Sequence, residues 1–255
     1  MIYLISLKKE PTKPIQPTQP MKLRFLPLLL TVILLSSFTN TYNTKANLNK
    51  IIVSVEEDVE ILTLYKIFTN QNASMPQLES FSNAIKGYSK LKEQGKIKNE
   101  TLTIIDFSLS STAKRLWVLD MTTNKVVFNT VVAHGRNTGG EFATKFSNTN
   151  NSNQSSLGFY VTDNTYYGKN GLSLFLDGQE KGFNDNARKR YVVFHGAKYS
   201  NPDFTKRNGR LGRSLGCPAV PTAVNNAIIK KIKNKSCLFI YHPNKNYKTN
   251  SKLIS

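Results

Sequence analysis

Cysteine and histidine are the scarcest chemistry-bearing residues of this 255-residue chain, which has two of the first, three of the second and a single tryptophan. Three histidines without His-Glu-x-x-His spacing, and with few carboxylates nearby, do not build a zinc-type site, so no metal is expected and no cofactor is called for. Acidic residues are also few, 16 against 35 basic ones, giving a formal net charge of +19. Such a balance draws a protein toward anionic polymers, nucleic acid or acidic lipids. The lysines are spread along the chain, the 229–235 cluster IKKIKNK reads as a solvated helix face, and there is no nucleic-acid-binding motif. Nucleic acid is therefore not expected as a partner. There is no internal repeat. With 39% hydrophobic residues the chain suits one compact domain plus extensions.

Met21 opens MKLRFLPLLLTVILLSSF, in which Lys22 and Arg24 precede an apolar run from Phe25 to Phe38. A charged start followed by an apolar run too short to span a membrane comfortably reads as a secretory signal peptide. Thr44 and Ala46 place a cleavage point near Ala46, and the absence of a nearby cysteine argues against a lipoprotein. The polar LKKEPTKPIQPTQP ahead of it points to Met21 as the true start. An uncleaved anchor is the alternative. The expectation is an exported, monomeric protein of the periplasm or cell envelope, without a stable membrane span once residues 1–46 are removed.

Residues 47–99 read as helical: Leu78, Phe81, Ala84, Ile85, Tyr88 and Leu91 recur at intervals of three or four, and Ser74 with Gln77 suggests a capping box. From Thr101 the runs TLTIIDF, RLWVLDM, KVVFNTVVA, LGFYVTD, YVVFH and CLFIY are short and rich in β-branched and aromatic residues. They predict a mainly β domain over 100–243, a sandwich or barrel-like sheet, interrupted by a helix from Thr222 to Asn234 with Ala227, Ile228 and Ile232 inward. The polar stretch Phe146–Ser156 reads as a surface loop, and the tail 244–255 as disordered.

Residues Tyr191–Val220 concentrate the chemistry. A strand-like run ends in His195-Gly196, and Ser214-Leu215-Gly216-Cys217 follows about twenty residues later. A thiol becomes a strong nucleophile when a base or positive charge takes its proton, and a histidine at a strand end is placed to do so. Cys217 is thus the candidate nucleophile, and His195 the base and later the acid. Gly216 and Gly212 permit a tight turn, Pro218 stiffens its exit, and a helix starting near Thr222 offers a favourable dipole. The bland readings are a buried structural thiol, a core histidine, or a Cys217–Cys237 bridge. Cys237, in CLFIY, reads as a packing residue.

His195-Gly196 followed by Ser214-x-Gly216-Cys217 resembles the signature of the YkuD-type L,D-transpeptidases, the murein L,D-transpeptidase catalytic domain family. The likeness extends from about Thr101 to His242 through TLTIIDFS, KRLWVLDM, VVAHGRNTGG, FSN…SSLGFY, GRLGRSLGCPA and LFIY. It implies a YkuD-like β-sandwich or barrel and a cysteine-dependent L,D-transpeptidase acting on peptidoglycan stem peptides through a thioester at Cys217, forming cross-links or exchanging the terminal residue. Under it, backbone N–H groups around Leu215–Cys217 form an oxyanion hole, and Ser214 orients the histidine or lines the pocket; a plain turn serine is the alternative. His134, Tyr166, Tyr167 and Gly168 line the cleft in the same sense, with an exposed histidine in a Gly-rich turn as the alternative for His134. Many relatives carry a basic residue just after the cysteine. Here that position is Pro218, and Arg213 is the substitute for binding a substrate carboxylate. An L,D-carboxypeptidase or other amide hydrolase using the same dyad, and a non-catalytic wall-binding module, are the rival functions.

Overall fold

The computed structural model describes residues 26–70 and 74–255, with side chains from residue 48 onward. The signal segment expected over 1–46 lies outside those side chains. The chain divides into two compact units, 1–55 and 56–255. In the first, the backbone from Leu26 is helical, as part of α1 (Leu26–Thr69), and residues 48–55 are exposed. Among the described residues no helix is long and apolar enough to cross a membrane. The second unit holds everything that follows.

Here the end of α1 buries Ile61 and Phe68, the latter edge-on to Phe81 at 5.9 Å between ring centroids. Phe81 belongs to α2 (Leu78–Glu93), whose buried face comprises Phe81, Ala84, Ile85, Tyr88 and Leu91, the spacing expected from the sequence; only Leu78 is left exposed. The capping box does not form. Gln77 is the N-cap without a side-chain bond, and the carbonyl of Ser74 instead accepts the Trp117 indole N–H at 2.8 Å.

Eight strands form one sheet: β1 (Thr101–Asp106), β2 (Leu116–Asp120), β3 (Lys125–Thr130), β4 (Gly158–Gly168), β5 (Gly171–Gly178), β6 (Val193–Gly196), β7 (Ala219–Val220) and β8 (Cys237–Tyr241), in spatial order β3-β2-β1-β8-β4-β5-β6-β7. Only β1/β8 and β6/β7 pair in parallel. Beyond β3 the chain crosses to the opposite edge, where Ala133 bridges Ala219 with N···O distances of 2.8 and 3.3 Å. This bridge draws the two edges together into a near-barrel, the mainly β architecture expected. β1 and β8 are buried along their whole length; CLFIY is an unbroken apolar run, while β1 buries Thr101, Thr103 and Asp106 beside Leu102, Ile104 and Ile105.

The helix α4 (Thr222–Ile232) buries Asn225, Ile228, Ile229 and Ile232; Ala227, expected inward, is exposed, because the face is turned toward β5 and β6. A short α3 (Pro202–Asn208) ends at Gly209 in the left-handed region (φ 71°). The tail is a correction. It forms α5 (Lys245–Asn250), with Tyr247 1% exposed and donating to the buried Glu180 carboxylate at 2.8 Å; Ser251 donates to the same carboxylate. Two buried hydrogen bonds and an aromatic side chain outweigh the polar composition that suggested disorder.

Close helix–sheet contact depends on Gly87. A Cβ there would sit 2.0 Å from the Phe159 ring, which is itself stacked on Phe239 at 4.1 Å and has nowhere to swing. Gly87→Ala is expected to destabilise by about 2 kcal/mol despite the better helix propensity of alanine. Thermal unfolding should show it as a Tm lowered by about 4–8 °C.

Candidate active site

β6 delivers His195 to the site. Its register pairs His195 with Ser173 on β5, and Ser173 with Tyr166 on β4, so the three side chains stand in one row on one sheet face. The adjacent Tyr167, paired with Leu172, belongs to the other face and is 81% exposed. Strand alternation therefore brings Tyr166, not Tyr167, into the cleft. The hairpin that carries Tyr166 was only partly legible: β5, GLSLFLDG, is a strand the sequence reading passed over, although its alternation and the Lys169-Asn170-Gly171 turn were the signal for it.

The cleft measures about 440 Å³ and is lined by His195, Cys217, Arg190, Tyr166, Tyr191 and Arg213, among others. His195 is 4% exposed. One ring nitrogen, Nδ1, lies 2.9 Å from the carbonyl oxygen of Gly196. A carbonyl only accepts, so Nδ1 carries the hydrogen and Nε2 is the free basic nitrogen. Burial is the main cause holding the imidazole pKa below its ordinary value, with the Gly196 carbonyl acting weakly in the opposite sense. Gly196 is needed for a second reason: a Cβ there would come 3.0 Å from the Cβ of Asn225 on α4.

Cys217 is half-buried and unbridged, and Cys237 is free and buried in β8. The Cys217 thiol donates to the Tyr191 carbonyl at 3.6 Å and accepts the Val193 N–H at 3.4 Å. Its hydrogen-bond partners are thus backbone groups. Burial raises its pKa; the Val193 amide, the Arg190 charge and its own amide oppose that rise. A raised thiol pKa and a lowered imidazole pKa describe a neutral pair, in which His195 takes the proton during attack instead of standing as a preformed ion pair. At the start of α4, the first amide, at Thr222, donates to Asn201 Oδ1 at 3.0 Å.

The turn before the cysteine is self-buttressed. Ser214 Oγ donates to the Cys217 carbonyl at 2.6 Å and accepts the Gly216 N–H at 3.0 Å. It acts as a turn serine, while the Gly196 carbonyl orients the histidine. The Gly216 amide, spent on Ser214, is withdrawn from any oxyanion hole. Gly216 itself sits at φ 132°, against the Gln154 carbonyl, where a side chain would collide at 2.9 Å.

His134 is placed differently from either sequence reading. It is 1% exposed, and its ring nitrogens face Arg115 Nη2 at 2.8 Å and the Gly139 carbonyl at 3.4 Å. Burial, followed by the Arg115 charge, pushes its pKa down to about 4. Both nitrogens are engaged inside the protein, so His134 supports the site through its backbone, its carbonyl accepting the Ser214 N–H at 2.9 Å. Arg213 lines the cleft but spends Nη1 on the carbonyls of Arg136 and Gly139, both at 3.1 Å.

Arg190, Tyr191 and Tyr199 are among the lining residues that the sequence does not single out. Arg190 and Tyr191 stand just ahead of the apolar run, in NARKRYVVFH, where a basic cluster before the His195 strand is the available signal. Tyr191 holds a left-handed φ of 54° and is 75% exposed. Tyr199 packs beneath Gly212, whose Cβ position lies 2.4 Å from its own Cβ. The expected surface loop 146–156 also does more than connect: Ser155 is buried, donates to the Gly216 carbonyl at 3.0 Å and accepts the Gly135 amide at 3.0 Å.

As the candidate base, His195 is expected to set the acid limb of kcat/KM, and because burial lowers its pKa that limb should lie at lower pH than an unperturbed imidazole gives. A kcat/KM profile across about pH 4 to 8 checks this, and an acid limb centred above the ordinary value contradicts it.

The sequence profile of the L,D-transpeptidase catalytic domain matches residues 72–241. No curated protein matches the chain. Among solved structures, an L,D-transpeptidase from Mycobacterium smegmatis aligns at 12% identity over 56% of this chain and 59% of its own, with a TM-score of 0.35. A mutant L,D-transpeptidase from Enterococcus faecium aligns at 13% identity over 57% of this chain and 50% of its own (TM-score 0.32), and one from Xylanimonas cellulosilytica at 11% over 73% and 93% (TM-score 0.32). This chain thus spans less than two thirds of the length of the first two. The profile match takes in α2, all eight strands, His195 and Cys217, and on it the chain belongs to the L,D-transpeptidase catalytic domain family.

Proposed function

We propose that the protein is a cysteine-dependent L,D-transpeptidase acting on peptidoglycan stem peptides in the cell envelope. The observation that carries this reading is the shared cleft of Cys217 and His195, with the imidazole locked by Gly196 so that Nε2 is the basic nitrogen. His195 Nε2 takes the thiol proton, and the thiolate attacks the amide carbonyl that follows an L-centre of the stem. The tetrahedral intermediate collapses as His195 returns the proton to the departing D-residue amine, leaving a thioester on Cys217. A second amine, deprotonated by the same imidazole, resolves the thioester and forms the new amide.

The half-buried thiol and the aromatic side chains of Tyr166, Tyr191 and Tyr199 favour transfer over hydrolysis by limiting the water at the thioester. Mass spectrometry of purified tetrapeptide muropeptides incubated with the protein distinguishes the outcomes. Dimers or exchanged termini are expected. Shortened monomers alone convert the assignment to an L,D-carboxypeptidase, and unchanged muropeptides that nevertheless bind convert it to a wall-binding module.

A further inference from the structure

Arg190 lines the cleft with Cys217 and is held in an unusual way. Its Nη1 donates to the Ser147 carbonyl at 2.7 Å and Ser156 Oγ at 2.5 Å; its Nη2 donates to the Gln154 carbonyl at 2.7 Å and Ser152 Oγ at 3.1 Å. All four acceptors are neutral. Arg188, two residues earlier, shows the contrast, since its guanidinium pairs with Asp163 and Asp177 on the outer surface. Among the described residues no carboxylate forms an ion pair with Arg190. A guanidinium held only by carbonyls and hydroxyls is fixed in place while its charge stays uncompensated.

That charge lies beside the cysteine turn. Nη2 is 3.6 Å from the position a Cβ on Gly216 would occupy, and Gly216 immediately precedes Cys217. The same loop that holds the guanidinium also holds the turn, through Ser155 Oγ and the Gly216 carbonyl. With its four Nη hydrogens committed, Arg190 cannot offer a free fork to a substrate carboxylate without surrendering the bonds that position it.

We propose that Arg190 is a positioning residue that supplies the fixed positive charge stabilising the Cys217 thiolate, with loop 147–156 serving as its neutral cradle. In this way the chain has a cation near the nucleophile although Pro218 follows the cysteine. The effect of the Arg190 charge, lowering the thiol pKa against the burial that raises it, is consistent with this geometry. The inference rests on Cys217 being the nucleophile.

The test is the pH dependence of Cys217 alkylation by iodoacetamide in the full chain, with peptide mapping to separate Cys217 from Cys237. Arg190→Gln is expected to move the midpoint upward by about one pH unit, so that alkylation at pH 8 falls about tenfold. Arg190→Lys, which keeps a cation but not the fork, is expected to lower Tm yet hold the midpoint within a few tenths of a unit. Ser152→Ala combined with Ser156→Ala removes two cradle bonds and keeps the charge, and should also hold the midpoint. An unchanged midpoint in Arg190→Gln overturns the inference. So does an upward shift of about one pH unit in Arg190→Lys, which decides the matter if Arg190→Gln does not fold. Either result leaves the nucleophile assignment standing; that assignment fails separately, if Cys217→Ala retains turnover.

Discussion

Cys217→Ala should reduce turnover of tetrapeptide stems by about 10⁴-fold or more, because no other thiol is within reach and the thioester route is lost entirely. Cys237, the remaining cysteine, is buried in β8 and its thiol pKa is raised strongly, by burial first. The fold should survive the change. Cys217 contributes two long backbone contacts and is half-exposed, so Tm is expected to stay within about 2 °C of the parent. Cys217→Ser is expected to be nearly as inactive, since a hydroxyl is far more basic as its anion than a thiolate and His195 is a weak base when neutral and buried. Intact-protein mass spectrometry after brief exposure to substrate adds a direct readout: an acyl adduct on the parent and none on either variant. Persistence of full activity in Cys217→Ala would sink the covalent mechanism.

The second large effect concerns stability. Arg115→Ala should cost about 3–5 kcal/mol, seen as a Tm lowered by roughly 10 °C or more. Arg115 is fully buried. Its Nε and Nη2 donate to the Val132 carbonyl at 3.1 and 2.9 Å, Nη1 to the Leu109 carbonyl at 2.7 Å, and Nη2 also meets His134 Nδ1. Its guanidinium lies over Phe107, 4.7 Å from the ring centroid. Removing it leaves those acceptors without their donors and withdraws a positive charge that acts on the buried Asp106. Burial pulls the Arg115 pKa down to about 9, which still leaves it protonated at neutral pH. The same network ties stability to acid. His134 has a folded pKa near 4, below its unfolded value of 6.5, so the unfolded chain binds protons first as pH falls. Its contribution is complete above pH 6.5 and is lost progressively as pH drops toward 4. Chemical denaturation of the parent at a series of pH values should show that slope, and Arg115→Ala should flatten it, because the arginine charge is among the causes of the depressed pKa.

Much of this molecule was visible in its residue pattern, and the misses have physical causes. The spacing of Phe81, Ala84, Ile85, Tyr88 and Leu91 marked the buried face of α2, since a 3.6-residue period depends on nothing beyond the helix itself. The apolar runs around Ile104 and Phe239 marked strands, and the His195–Cys217 pairing marked the cleft. What the pattern could not supply was distance through space. Arg190 is assigned by its contacts with residues more than thirty positions away, at Ser147, Ser152, Gln154 and Ser156. The resemblance places both Tyr166 and Tyr167 at the cleft, and only the β4–β5 register decides which of the two adjacent tyrosines faces inward. His134 sits in a Gly-rich turn that looks exposed, and its burial follows from Arg115, nineteen residues upstream. The tail failed for the same reason, Glu180 being the partner that orders it.

The position of β8 has a further consequence. It lies between β1 and β4, pairing Leu102–Asp106 on one side and Gly158–Val161 on the other, yet it is the last strand in the chain. Without Cys237–Tyr241 the sheet is two ribbons, β3-β2-β1 and β4-β5-β6-β7, joined through the Ala133–Ala219 bridge, and β1 and β4 each present an unsatisfied edge. The order of synthesis therefore runs against the order of assembly: the middle is made last, and the final closure is a long-range event of the slow kind. A chain cut short before Cys237 would lose its centre and not a margin, and a ribosome halted there would hold a polypeptide that has His195 and Cys217 without the strand that joins the two halves of their sheet.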